Sequence, residues 1–435
     1  MHHETLDRPE NPPSEAVLPQ RRPPADDEAT PAPDAAPASE QSVETPASEA
    51  TRAPDRPWRR AFSTGLSTWA AATVAYFLIN SMVWLMRSES GPRISGMLEV
   101  WNRWDTGHYI SIALRGYNPE NESAAFFPLY PLLIRYLEPL LPGGALSAAL
   151  IISHAACLAA LTVLFRLVEE LQGESTARRT VTYLMAYPFA FFLVTAYNES
   201  VFLLFCVAGF YCMRQGYWVS AGLWGSLASG TRQAGILLAL AFVIEYLRQR
   251  GWHPKRIRLD ALAVLIVPLG MVAYAWYCWR AFGDWLKFVH IQALWGRIPT
   301  VPWEGTERAI GHIRSASVEG AVFQPLVVLN VIDIAAVVVT LVMLVLAVVG
   351  PWRLGLGSLY LTVTSFASLT MALIVPLGLD VPLHSVPRFV LEMVPVFMVA
   401  ARMGRSPHVD RFFVMPAMAV QALLLLGFFY DFWLA

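Results

Sequence analysis

One acidic residue in this chain sits where a proton-transfer reaction could use it. The stretch Trp101-Asn102-Arg103-Trp104-Asp105-Thr106-Gly107-His108-Tyr109-Ile110 places Asp105 between tryptophans and a His-Tyr pair. Trp and Tyr side chains settle at the boundary between membrane and water. On a helix, His108 and Tyr109 lie three and four residues past Asp105 and share its face. A carboxylate held there by aromatics is a candidate general base, a group that accepts the proton of an attacking hydroxyl. The same position also fits an N-cap, with Asp105 opening a helix that runs through Ile112.

Cations that could meet an anionic group are few and well spaced. Arg232 and Arg388 stand at the ends of apolar runs. Arginine grips phosphate with a fixed fork of donors, although a long side chain at a run's end can also simply snorkel to water. His384 precedes Arg388 by four residues and suits either a hydrogen bond to phosphate or sugar or a solvated loop position. Glu199 lies at a turn between two short apolar runs, where it can orient a sugar or Arg232, or cap the next helix. Surface solvation is the ordinary reading of Arg103, Arg115 and Glu122, and a buried, satisfied histidine that of His154. Glu120 and Glu122 form a near acidic pair, but no DxD pair or His/Asp cluster accompanies them, so neither metal nor cofactor is expected. Cys157, Cys206, Cys212 and Cys278 all fall in apolar runs without CxxC spacing and read as core residues.

The elements that position these residues must be membrane helices. Of 435 residues, 55% are hydrophobic and only 15% charged, against roughly a quarter charged in an average soluble domain. Mean hydropathy is +0.45. A soluble enzyme, a disordered regulator and a nucleic-acid binder are excluded, and a net charge of −1 supplies no field for polyanions. Residues 1–60 are rich in Pro, Ala, Glu and Ser and predict a disordered cytoplasmic tail. Residues 61–435 form one membrane domain. Its apolar runs predict about eleven spans, roughly 62–86, 145–171, 180–197, 200–214, 217–231, 233–248, 260–281, 326–350, 355–376, 388–403 and 411–432.

With the N-terminus inside, each short loop assigned to the cytoplasm is basic: Arg178 and Arg179, then Arg214, then Arg248 to Arg258, then Arg353, then Arg402 to Arg411. Two long segments, about 87–144 and 282–325, then lie outside, and their Trp, Pro and Gly content predicts ordered loops with interfacial helices. Ala125-Phe126-Phe127-Pro128-Leu129-Tyr130-Pro131 suits such a helix, or packing over the bundle. The tract from Trp295 to Pro302 is placed to cover a site. No internal repeat supports a two-fold transporter architecture.

Four groups of residues, in order, carry a resemblance. Trp104 to Tyr117 (WDTGHYISIALRGY) followed by Ala125 to Arg135 (AFFPLYPLLIR) is similar to the WDA-x-H, GY and AFFP-x-P pattern of the PIG-V-type mannosyltransferases and their bacterial relatives. Thr106 and Gly107 depart mildly from that pattern. Thr195 to Phe202 resembles the family's AYSES-x-F segment, Ser229 to Gly235 its TRSNG-like segment, and Pro387-Arg388-Phe389 its late R-F/Y. The resemblance implies an all-α GT-C glycosyltransferase and a bacterial member of the family. It implies transfer of a hexose, mannose above all, from a polyprenyl-phosphate donor to a lipid or glycolipid acceptor. That reaction would run on the non-cytoplasmic face of the cell membrane. The family's essential acidic residue falls on Asp105. The donor-binding set expected around it is Trp104, His108, Tyr109, Glu199, Arg232, His384 and Arg388. A transporter or flippase of a lipid-linked sugar is the alternative class. It would place ionisable residues near mid-membrane, whereas most candidates here gather at one face, with Asp333, near the outside part of its span, as the main exception.

Overall fold

The computed structural model describes residues 57–87 and 94–432, apart from 319, 322 and 379. Residues 1–56, most of the expected tail, lie outside the described residues, and residues 57–60 already belong to the first helix. Among the described residues there is no strand. In chain order the helices are α1 Pro57–Arg87, α2 Ile94–Glu99, α3 Asp105–Arg115, α4 Leu129–Leu137, α5 Gly144–Gln172, α6 Glu174–Ala186, α7 Glu199–Gln215, α8 Trp218–Ser229 and α9 Leu238–Gln249. They continue with α10 Leu269–Phe282, α11 Lys287–His290, α12 Glu304–Val318, α13 Pro325–Val348, α14 Leu359–Leu373, α15 Val386–Phe389, α16 Val394–Met403 and α17 Pro407–Phe429.

The long apolar α5 is the hub. It packs against α1, α6 and α7, and α16 ties α6 to α13. Its inward stripe (Ala149, Ser153, Ala156, Ala160, Leu164 and Leu167 among others) is buried. The small residues in that stripe let neighbouring backbones approach closely, as suits helices packed in lipid. Among the described residues five helices are long and apolar enough to cross a membrane, and the bent pair Leu259–Ile266 and Leu269–Phe282 makes a sixth. The expected count of eleven is therefore not reproduced by length. Each predicted run does contain helix, but α6, α7, α8, α9 and α16 stop short.

The reason is legible at 180–197. Helix α6 ends at Ala186, and Tyr187 is extended (φ −60°, ψ 137°), because the residue before Pro188 is driven out of the helical region. The chain then makes a 3₁₀ turn, Ala190–Leu193, with every residue buried. Irregular backbone at this depth survives only under cover of protein. Phe191, Phe192, Tyr197 and Phe428 supply that cover by ring packing. Both long segments contain helices: α2, α3 and α4 in the first, α11 and α12 in the second.

Candidate active site

Asp105 is the first residue of α3, not its cap. The N-cap position is held by Trp104 in a rare conformation (φ 49°, ψ −116°) with no capping side chain. Tyr197 stabilises this turn from α7's approach: its buried hydroxyl accepts from the Asp105 N–H (3.3 Å) and donates to the Arg103 carbonyl (3.3 Å). The Asp105 carboxylate is thereby free to turn away from its own helix, and Oδ2 lies 2.9 Å from Nη1 of Arg388.

Arg388 is delivered by an equally unusual turn. Ser385 precedes α15 at φ 76°, and the Tyr187 hydroxyl donates to the Pro387 carbonyl (2.9 Å). Non-glycine residues at positive φ cost free energy and collect at functional sites. Two of the four among the described residues, Trp104 and Ser385, flank the two partners of this ion pair. The Arg388 guanidinium lies over the rings of Tyr197 and Phe192, 5.3 and 5.5 Å from their centroids.

A charge chain runs on from this pair. Arg388 Nε is 3.1 Å from Glu199 Oε1, and the same oxygen is 3.5 Å from Arg232 Nη2. Arg232 Nη1 lies 3.9 Å from Glu392 Oε2, and Glu392 also accepts from Ser368. Five alternating charges, Asp105, Arg388, Glu199, Arg232 and Glu392, thus cross the fold from α3 to the turn before α16. Burial of charge is tolerated where each group is paired in this way.

Local sequence explains the placement of Arg232. Helix α8 ends at Ser229, Arg232 is extended, and a 3₁₀ turn, Gln233–Leu237, folds back. A Cβ at Gly235 would stand 2.3 Å from the Ala228 carbonyl carbon, so only glycine lets this turn press on α8. Asn198 donates to the Thr231 carbonyl (3.1 Å) and locks the break to the start of α7.

These groups face a cavity of about 680 Å³. Six of the residues singled out in the sequence line it: Trp104, Asp105, His108, Tyr109, Arg232 and Arg388. His108 stacks on Phe126 (4.7 Å) and reaches Glu122 (3.6 Å). Tyr109 packs edge-on against Phe126 and Tyr130. Glu199 is not at the surface of the cavity but buried behind it, bridging two arginines, and it does not cap α7 through its side chain. His384 is likewise absent from the lining. It is buried, with Nδ1 3.9 Å from Asp333 Oδ2, so neither a solvated loop position nor a contact with the cavity describes it.

The remaining readings resolve simply. Arg103 pairs with Asp431 (2.7 Å), Arg115 with Ser111, and His154 accepts from the Trp69 indole. The four cysteines are free, and Cys157, Cys206 and Cys278 are buried.

Ser368, Arg297 and Glu392 are among the lining residues not foreseen as site residues. Glu392 follows Arg388 by four residues, a spacing that places both near one face. Arg297 falls inside the covering tract that begins at Trp295, and both line the cavity. Beside this tract Met371, Ala372, Ile374, Val375 and Leu377 line the cavity as an apolar band.

This arrangement has recognisable relatives. Residues 81–268 match the profile of the family described as Mannosyltransferase (PIG-V). GPI alpha-1,6-mannosyltransferase 2 of Cricetulus griseus is 27% identical over 211 residues, and that of Mus musculus 29% identical over 211 residues. Each match covers 43% of this chain and 42% of the relative, so the chain spans less than half the length of the curated relatives it matches. The crystal structure of ArnT from Cupriavidus metallidurans bound to undecaprenyl phosphate superposes with a TM-score of 0.50 at 15% identity, covering 85% of this chain and 76% of that one. At that identity the likeness speaks for the fold. By its profile match over residues 81–268 the chain is similar to the PIG-V mannosyltransferases, and its helical bundle has a GT-C-like fold.

Proposed function

We propose that this protein transfers a hexose, mannose by its similarity to the PIG-V mannosyltransferases, from a polyprenyl-phosphate donor to the hydroxyl of a lipid or membrane-associated acceptor. The observation that carries the reading is Asp105 opening into a cavity while its second contact is the buried Arg388. In the reaction the acceptor oxygen forms a bond to the anomeric carbon as the carbon–oxygen bond to phosphate breaks. The acceptor proton passes to Asp105, and the bonding pair leaves on the phosphate. The sugar carbon carries oxocarbenium character on the way, as in glycoside hydrolysis. A single displacement on a β-linked donor gives an α-linked product.

Each part of the cavity has a task in this scheme. Arg388 orients the Asp105 carboxylate, and Arg232 and Arg388 turn their remaining N–H donors to the leaving phosphate. Glu199 holds the two guanidinium groups in register. Trp104, His108 and Tyr109 frame the sugar and acceptor. His384 contributes from behind, through the turn that presents Arg388. The apolar band from Met371 to Leu377 suits a prenyl chain. The basic short loops support a cytoplasmic N-terminus in the cell membrane, with the first long segment and the reaction on the other face.

The test is transfer of radiolabelled mannose from synthetic polyprenyl-phosphate mannose to membrane lipids by purified wild type and Asp105→Asn in parallel. Label from the wild type only is the expected outcome. Equal label from both proteins would remove Asp105 from the mechanism, and label from neither would overturn the reaction.

A further inference from the structure

The cavity's cations are not equally engaged. Arg388 is shared between Asp105 and Glu199, and Arg232 between Glu199 and Glu392. Arg297 also lines the cavity, but among the described residues it forms no ion pair. The single hydrogen bond of its side chain runs from Nη1 to the Val375 carbonyl at a long 3.4 Å. Its guanidinium therefore pairs with no carboxylate, whereas Asp105, Glu199 and Glu392 each contact Arg388 or Arg232.

The segment that carries Arg297 is held firmly over the site. The Gly378 N–H donates to the Trp295 carbonyl (3.1 Å) and the Thr300 N–H to the Ile374 carbonyl (2.8 Å). Gly296 sits at φ 64°, and a Cβ there would meet the Gly378 Cα at 2.7 Å, so two glycines are needed for the backbones to touch. Trp295 packs edge-on against Phe126 (6.0 Å), which itself carries His108. A residue on an anchored arm can meet a ligand without first paying the entropy of ordering.

The electrostatics at Arg297 favour an anion. Burial pushes its pKa down to about 10, and the Arg388 and Arg232 charges push in the same direction against the pull of Asp105. The guanidinium remains cationic at neutral pH. A negative group placed among these three arginines relieves their mutual repulsion and gives Arg297 the partner it lacks.

We propose that Arg297, carried over the cavity on residues 291–300, is a third cation, beside Arg232 and Arg388, that binds the phosphate of the lipid-linked donor. The inference rests on the reaction proposed above and adds a binding residue to it. Phosphate could also reach the cavity as the headgroup of an ordinary anionic phospholipid, and the experiment separates the two sources.

Full-length wild type, Arg297→Gln and Arg297→Lys in detergent micelles would be titrated with undecaprenyl phosphate, with undecaprenol as the uncharged control and phosphatidylglycerol as the competing phosphate. The expected result is binding of undecaprenyl phosphate by wild type, weakened about tenfold or more in Arg297→Gln and partly restored in Arg297→Lys, which keeps the charge but loses the fork. Binding of undecaprenol and phosphatidylglycerol stays unchanged across the three proteins. Equal affinity of Arg297→Gln and wild type for undecaprenyl phosphate overturns the role of Arg297 and leaves the reaction standing, as does a loss confined to phosphatidylglycerol. Wild type that binds undecaprenyl phosphate no better than undecaprenol overturns both.

Discussion

Asp105 and Arg388 are 283 residues apart in the chain, yet their side chains meet at 2.9 Å. The contact joins the start of α3 to α15, the short helix before α16, so it depends on the closure of the bundle between them. Removing the carboxylate's charge with Asp105→Asn keeps the shape of the side chain and abolishes its capacity as a base. Turnover is expected to fall by about 10²-fold or more. Arg388→Lys keeps a charge but cannot serve Asp105 and Glu199 at once. It is expected to lose activity to a similar degree while the protein still folds. Mannose transfer measured beside thermal unfolding in detergent checks both variants. Full activity in Arg388→Lys would show that the ion pair does not orient Asp105.

Glu199 is the hinge of the charge chain. It is 3% exposed and contacts both Arg388 and Arg232 through one oxygen. Glu199→Gln leaves two buried guanidinium groups close together with one fewer negative charge between them. Breaking a buried pair from one side typically costs about 3–5 kcal/mol. Here Asp105 and Glu392 still compensate in part, so a loss of about 2 kcal/mol is expected, together with a marked drop in turnover. Chemical unfolding and the transfer assay measure the two effects. An unchanged midpoint would mean that the arginines do not depend on Glu199.

Much of this was open to reading in the chain itself. Apolar runs marked where helices lie, and Asp105, Arg232 and Arg388 stand inside motifs, which is why all three fall on one cavity. Pro188 even carried the break that ends α6, since it constrains Tyr187 directly. Span length was harder. Hydropathy does not distinguish a run that crosses in one helix from one that bends under protein cover, so against eleven runs the described residues hold five long apolar helices, six with the bent pair. His384 and Glu199 stood out in the sequence as candidates but not as buried residues, because burial depends on partners, Asp333 and Arg388, far away in sequence. Ser368, Arg297 and Glu392 escaped for the same reason. Each is an ordinary polar residue in its local sequence and acquires its place only from the packing of α14, the covering arm and the turn after α15.

Gly378 tests the covering arm without touching a charged group. A Cβ at this position would lie 2.7 Å from the Gly296 Cα, a distance at which backbone must move. Gly378→Ala should therefore lift residues 291–300 by a few tenths of an ångström and loosen their grip on donor. Misplacement on this scale acts on positioning more than on chemistry. The expected outcome is a KM for donor raised about fivefold or more with a smaller change in kcat. Steady-state kinetics over a donor range would show it, and an unaltered KM would mean that the arm does not contact donor.

The buried Asp333 decides between an enzyme and a carrier. It lies in α13, and its Oδ2 is 3.9 Å from His384 Nδ1, with both side chains inaccessible to water. In a carrier, an intramembrane carboxylate of this kind is the expected coupling group. Here its surroundings suggest another task. One turn earlier on α13, Asn330 donates to the Asp380 carbonyl (2.8 Å), so Asn330 and Asp333 together clasp both ends of the 380–384 segment that leads into Ser385 and Arg388. Neither Asp333 nor His384 lines the cavity. Asp333→Asn retains the side chain's size and removes its charge, so the clasp loosens without collapsing. Mannose transfer is expected to fall by less than about tenfold, far less than in Asp105→Asn, because positioning errors passed through a turn are partial. The pair of variants should be assayed together for transfer and for lipid-linked sugar translocation in proteoliposomes. Transfer lost in Asp105→Asn and largely kept in Asp333→Asn supports the enzyme. Translocation by the wild type that Asp333→Asn abolishes would place the function in transport.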